Sequence, residues 1–206
     1  MKQQRFEFPF RLMIRPFSCF WDMKYEGKGT VRDAFIIVVL LVLAMILNRQ
    51  FAGFLVNYYD PQLMNSLNEV RYVIVPLLLW CVSNWSITTL MDGEGKFREI
   101  FMVASYSTLP IILVLIPFTL ISNFMTEEET VFYWLFIIIS IVWFVWLLFV
   151  GTMTIHQYSA SKTIATMFLT LIVMMIIIFL GMLMFSLLQQ AFGFVYNVYR
   201  EIIFRL

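Results

Sequence analysis

The sequence predicts an all-α membrane protein, a polytopic bundle of five transmembrane helices with a short amphipathic interfacial helix at each end. Of the 206 residues, 62% are hydrophobic and only 13% are charged, whereas a soluble domain is about 45–50% apolar and about 25% charged. The apolar residues fall into five long runs separated by short polar segments. This pattern is typical of a chain that crosses the membrane several times.

Residues 1–30 form a basic, aromatic lead-in on the cytoplasmic side. Apolar side chains recur at helical spacing from Phe10 to Trp21. Pro16 suits the first turn of a helix, so we predict one short helix near residues 16–25, while Pro9 and Pro16 oppose a longer one. Such a segment lies in the membrane interface. It is either a lead-in whose charges reach the membrane surface or a docking surface for a partner.

The membrane domain covers residues 31–188, with predicted spans at about 31–56, 70–90, 100–122, 131–156 and 163–188. The apolar core of the first run, Ala34 to Leu47, is shorter than the roughly 20 residues that a span needs. We therefore extend this span to residue 56, which requires Arg49 to pair or to reach the membrane surface. An Asp60-Pro61 turn follows.

The tail, residues 189–206, is amphipathic. Its apolar side chains share one face at helical spacing, and its charged residues lie off that face. We expect a separate helix on the membrane surface.

Lysine and arginine residues predict the orientation, because they are enriched in cytoplasmic loops. With the N-terminus inside, ten of them lie in inner segments and four in outer ones. We therefore predict a cytoplasmic N-terminus, an external C-terminus and a place in the bacterial cytoplasmic membrane.

The turn between the second and third spans contains Asp92, Gly93, Gly95 and Lys96. It lacks the GxxxxGK[ST] spacing of a phosphate loop and the oxygen ligands of a calcium loop. The plain interpretation is a tight cytoplasmic turn in which the glycines end the second span and let the chain reverse. Lys96 and Arg98 then hold the turn at the inner surface.

The polar side chains of the second and third spans need partners within the membrane. Prolines remove backbone donors, so we expect Pro110 and Pro117 to bend the third span. Upstream hydroxyls are positioned to bond the freed carbonyls. The candidate partner or packing surface is Asn84, Ser105, Tyr106, Thr108 and Pro110.

The sequence contains no arrangement that predicts catalysis, a cofactor or a metal site. His156 is the only histidine, so neither a nucleophilic triad nor a histidine metal cluster can be built. A hydrogen-bonded interfacial histidine is favoured over a proton switch. The methionines of the fifth span favour adaptable packing over copper binding. No Asp or Glu lies inside an apolar run, which disfavours an ion-coupled transporter, and no basic patch predicts nucleic-acid binding.

Three segments carry a resemblance to a known family. They are Pro16-Phe17 followed by YEGKGT at 25–30, DGEGKFREI at 92–100, and ASYSTLP at 104–110. In order and spacing the chain resembles the Yip1-domain family of five-span membrane proteins, bacterial type. The resemblance implies a cytoplasmic N-terminus and no catalytic residues. Eukaryotic members act in vesicle traffic and contact small GTPases, whereas bacterial members often accompany carbohydrate ABC-transporter genes.

These observations favour a non-enzymatic accessory or scaffold protein that contacts the lipid bilayer and binds other integral membrane proteins. An auxiliary subunit of a carbohydrate ABC transporter, bound to its permeases, is the role that the bacterial resemblance implies. A small-solute channel or exporter acting alone is one alternative. A membrane-trafficking or membrane-shaping factor is another.

Overall fold

The computed structural model describes residues 2–57 and 65–205, and the side chains of residues 8–57 and 65–204. Among the described residues, 84% are helical and none is in a strand. The helices are α1 (Lys2–Ile14), α2 (Pro16–Trp21), a π-helical turn (Asp22–Glu26), α3 (Val31–Phe51), α4 (Ser66–Leu90), α5 (Phe97–Ser107), α6 (Leu109–Ile121), α7 (Thr130–His156) and α8 (Ala160–Arg205). The predicted Asp60-Pro61 turn lies outside the described residues.

Five helical stretches are long and apolar enough to cross a membrane: α3, α4, α5 with α6, α7 and α8. This confirms the all-α fold with five spans. The bundle has two ends. We call the end formed by residues 22–30, 91–96 and 157–159 the loop end, and the other the opposite end.

The first span ends earlier than predicted. Helix α3 stops at Phe51, Ala52 is extended, and a turn follows to residue 56. Arg49 pairs with Glu69 of α4 across 3.4 Å. Just beyond this end the backbone packs closely against the end of the third span, since a side chain at Gly53 would lie 2.2 Å from the carbonyl oxygen of Ser122. The Gly53 N–H also donates to the Ser122 hydroxyl at 2.9 Å.

The third span consists of two helices rather than one bent helix. Thr108 separates α5 from α6, and Pro110 lies in the first turn of α6, where its missing N–H leaves no gap. The hydroxyls upstream bond other α5 carbonyls than the one that Pro110 frees, which is that of Tyr106. Ser107 Oγ donates to Val103 O and Thr108 Oγ1 to Ser105 O, both at 2.7 Å.

The N-terminal segment packs against the bundle. Pro9 lies inside α1, a helix that we did not predict, and the break at Arg15 before Pro16 separates α1 from α2, so the segment is not one long helix. Helix α2 and the π-helical turn run along the last third of α7, toward the loop end. Phe20 is fully buried there beside Gly151.

The core lies between α3, α5 and α7, with α2 closing one side. Its largest fully buried apolar side chains are Leu12, Phe20, Ile100, Val103, Tyr106, Leu147, Val150 and Ile155.

Helix α8 extends well beyond the rest of the bundle. It packs against α4 and, less extensively, α7. Its 46 residues make a helix of about 69 Å. The fifth span and the tail form one continuous helix, with no boundary near residue 188 where we expected a separate surface helix.

Candidate functional site

The most elaborate polar arrangement in the described chain lies at the loop end. It joins three segments that are far apart in sequence: the turn after α4, the end of α7 and the π-helical turn. We call it the loop-end cluster and define it by Lys24, Gly93, Gly95, His156 and Tyr158.

The turn after α4 reverses the chain without using a glycine backbone conformation. Asp92 adopts the left-handed conformation, with φ of 55°, and Gly93 N–H donates to Thr88 O at 2.8 Å. The glycines serve close approach instead. A side chain at Gly93 or Gly95 would lie 2.6 Å from the His156 ring. The sequence identified the turn correctly but assigned its glycines the wrong role.

His156 lies beneath this turn, with 1% of its surface exposed. Its Nδ1 accepts a hydrogen bond from Gly95 N–H at 3.2 Å, which places the proton of the neutral ring on Nε2. Nε2 has no hydrogen-bond partner in the described chain. The ring stacks on Tyr158, with centroids 5.3 Å apart. Gln157 supplies the left-handed residue that ends α7 and turns Tyr158 back.

Tyr158 ties the end of α7 to the end of α4. Its hydroxyl lies 3.1 Å from Met91 O and 3.4 Å from Thr88 O. The hydroxyl therefore donates its one hydrogen bond to a carbonyl at the end of α4. Burial, with the nearby Asp92 carboxylate, raises the pKa of Tyr158 above its ordinary value. The hydroxyl therefore stays protonated and remains a donor at neutral pH. Lys162 Nζ covers the ring face at 4.3 Å.

Lys24 fastens the N-terminal segment to the same place. Its Nζ donates to Ile155 O at 2.8 Å and to Glu94 Oε2 at 2.7 Å. A cation at the C-terminal end of a helix satisfies unpaired carbonyls and interacts favourably with the helix dipole. This contact was not predictable from the sequence, because Lys24 is 131 positions from Ile155 and no local pattern signals such a pair.

The remaining predicted turn residues lie at the surface of the loop end. Lys96 and Arg98 are exposed. The Lys96 N–H donates a hydrogen bond to Glu99 Oε2 at 3.0 Å, which caps the start of α5. The predicted clamp of Lys96 and Arg98 on a membrane surface stays a prediction.

The five side chains of the predicted partner or packing surface are all buried inside the bundle. Ser105, Thr108 and Pro110 lie at the α5–α6 junction, and Phe8 of α1 covers the Tyr106 ring at 5.8 Å. Asn84 Nδ2 donates to Thr170 Oγ1 of α8 at 3.2 Å. In the monomer, these residues pack this chain's own helices; contact with a partner stays a prediction.

The hydrogen bonds of the loop-end cluster join three segments of the chain. No group of three or more metal-binding side chains occurs in residues 8–57 and 65–204. Both described cysteines, Cys19 and Cys81, are free and buried. Burial raises the pKa of the Cys19 thiol, so the reactive thiolate is disfavoured.

The largest surface without an internal partner is on α8. Every residue from 178 to 204 is exposed, and nothing lies near Gly181 or Gly193. Helix α7 adds a shallow apolar groove on its outer face, lined by Ile138, Ile139, Val142, Trp143 and Trp146.

A family model described as the Yip1 domain matches residues 10–194. No curated protein and no solved structure matches the chain.

Proposed function

The chain belongs to the Yip1 domain family, and on this basis we propose that it is a non-enzymatic scaffold that binds other integral membrane proteins. That it is a multi-pass membrane protein rests on its five apolar helices and on the family. The binding of other membrane proteins rests on one observation, the unpartnered half of α8.

The exposed half of α8 suits a transmembrane partner. Between residues 178 and 188 it is apolar except for Ser186, with Phe179, Leu183, Phe185 and Leu187 between 46% and 65% exposed. Lipid covers such a surface within the membrane. However, a helix of about 69 Å exceeds the roughly 30 Å hydrocarbon core.

Beyond the core, α8 still carries exposed apolar side chains. Phe192, Val195, Tyr199 and Ile203 are between 51% and 73% exposed. The continuous helix extends this surface beyond its contacts with the bundle, where the cost of hydrating exposed apolar side chains favours burial against another protein. A membrane protein that extends past the bilayer at the opposite end would cover both parts.

In finer detail, we propose that the partner is a permease of a carbohydrate ABC transporter and that the chain lies in a bacterial cytoplasmic membrane. The proposed N-terminus is cytoplasmic, since ten of the fourteen lysine and arginine residues then belong to inner segments of the chain. Reporter fusions at Asn123 and at the C-terminus test this orientation, because a cytoplasmic signal from either would contradict it.

Photo-crosslinking from single positions tests the scaffold proposal. We would place a photoreactive amino acid at Phe185 or Phe194, and at Phe35 of α3 as a control of similar exposure. We expect adducts with one integral membrane protein from the two α8 positions and none from Phe35. Lipid adducts alone from α8, or equal protein adducts from α3, would contradict the proposal.

A second candidate function is a small-solute channel. It is favoured by Ser83 Oγ and Asn84 Oδ1, which are buried in α4 without a hydrogen-bond partner in the described chain. Unsatisfied polar groups within a membrane often mark a pathway. Flux of small solutes into sealed liposomes containing the purified protein alone, abolished by Asn84→Leu, would support this candidate.

A further inference from the structure

The N-terminal segment contacts α7 at three levels, which lie at increasing distance from the loop end. Lys24 Nζ bonds Ile155 O, Phe20 packs at Gly151, and Phe17 meets the ring of Trp146 at 6.4 Å. Trp146 lies ten positions before the end of α7, about 15 Å along a helix that rises 1.5 Å per residue. The corner between α2 and α1 therefore lies about 15 Å from the loop end.

Helix α1 lies at a similar depth. Its inner face buries Phe8, Leu12 and Met13, and the Phe8 ring packs on Tyr106. Tyr106 lies nine positions into the third span, about 14 Å from its start. The outer face of α1 exposes Phe10 and Ile14.

The polar residues of the spans show where the headgroup region ends. The last turns of α4 and α7 are polar and include Thr88, Thr89, Thr154 and His156. We therefore place these turns among the lipid headgroups. The α1–α2 corner then lies roughly 5–10 Å below the headgroups, which is the depth at which interfacial amphipathic helices lie.

Two arginines occupy the exposed side of this corner. Arg11 and Arg15 are both exposed. Arg11 lies in the last turn of α1, and Arg15 lies at the break between α1 and α2. The Arg15 N–H donates to Arg11 O at 2.8 Å, so the two residues are one turn apart along the chain. No salt bridge joins either guanidinium to a carboxylate among the described side chains. Two like charges in this position repel each other and are costly below the headgroups.

We propose that Arg11 and Arg15 bind the phosphate group of an anionic membrane lipid in the leaflet at the loop end. A guanidinium binds phosphate oxygens through two parallel hydrogen bonds, and its long stem lets it reach up from an apolar level. One phosphate between the two side chains offsets their repulsion. The exposed Phe10 and Ile14 lie where the acyl chains of that lipid run.

Native mass spectrometry of the full chain tests this site. The protein is extracted from vesicles of equal parts phosphatidylglycerol and phosphatidylcholine, and retained lipids are counted for wild type, Arg11→Gln, Arg15→Gln and Arg71→Gln. Arg71 is the matched control, an exposed arginine at the opposite end. We expect preferential retention of one phosphatidylglycerol, reduced about tenfold by either change at the corner and unaffected by Arg71→Gln.

The fold is checked by the melting temperature, which should be unchanged because both side chains are exposed. Arg11→Lys keeps the charge but loses the bidentate geometry, so we expect intermediate retention. Equal retention by wild type and Arg11→Gln would overturn the proposal. A second arm adds inorganic phosphate to protein in pure phosphatidylcholine nanodiscs. Arginine-dependent binding of that phosphate, without phosphatidylglycerol enrichment, would show a site for soluble phosphate and also overturn it.

Discussion

The third span and α8 are both long apolar stretches, yet they lie in opposite environments. In the most apolar window of the third span 56% of residues are buried, and in that of α8 none are. The more apolar helix is thus the outer one. Lipid is as apolar as leucine, so hydrophobicity does not drive helices together in a membrane, whereas small and hydroxyl-bearing residues allow close packing. Ser105, Ser107 and Thr108 therefore mark the core, and the phenylalanines of α8 mark the periphery.

The largest contrast is expected from adding a side chain at a glycine in each region. A Cβ at Gly151 of α7 would lie 2.4 Å from Val103 of α5, whereas nothing lies within 4 Å of Gly181. Gly151→Leu should therefore cost about 1–3 kcal/mol or more of stability through overpacking. Gly181→Leu should change it by less than about 0.5 kcal/mol. Thermal unfolding in detergent measures both, and equal losses would remove the distinction between core and periphery.

A smaller effect is expected at the loop-end cluster. Gly95→Ala places a methyl group against the His156 ring and should cost roughly 1–2 kcal/mol. Gly193→Ala, in open space on α8, is the control. If the clash is the cause, His156→Ala should suppress most of the Gly95→Ala effect, since contacting residues are not additive. Additive losses in this double-mutant cycle would show that the glycine acts in another way.

Removal of the Lys24 amino group should have a still smaller effect. Lys24→Met loses the hydrogen bond to Ile155 O, while the exposed Glu94 carboxylate remains hydrated. We expect a loss of about 1 kcal/mol and faster proteolysis before residue 30. Lys28→Met, whose partners are within its own segment, is the control. If protease sensitivity rises equally in both variants, the contact of Lys24 with the end of α7 does not specifically hold the N-terminal segment in place.

The smallest effect on stability is expected from α8 itself. Phe179→Ala and Phe185→Ala remove exposed side chains, so the melting temperature of the purified protein should change little. Co-purification of the partner in mild detergent should nevertheless fall. Undiminished co-purification with both substitutions would place the partner elsewhere, for example on the apolar groove of α7.

The spans were predictable from sequence because each one is a continuous apolar run, and the resemblance is confirmed by the family match. The two-helix form of the third span was only partly predictable. Pro110 signals a disturbance, but whether it bends a helix or begins one depends on how Thr108 and Ser107 bond the preceding carbonyls.

The loop-end cluster was not predictable from the sequence. Its hydrogen bonds involve Lys24, Gly95 and His156 and join residues that are far apart in the sequence. Local periodicity does not indicate such pairs. The end of α3 was missed as well, and the residues that pack just beyond it, Gly53 and Ser122, are also far apart in the sequence. Glycines near a predicted turn were assigned to chain reversal, although the structure uses them for close approach.

Spin labelling of α8 tests the central claim most directly. A single cysteine at Leu187 accepts the label selectively, because Cys19 and Cys81 are buried, and a label at Phe35 serves as the control. In native membranes we predict that oxygen reaches the Leu187 label less readily than in vesicles containing the purified protein alone, with no such difference at Phe35. Equal oxygen accessibility of the Leu187 label in both membranes would show that lipid alone covers α8 and would contradict the scaffold account.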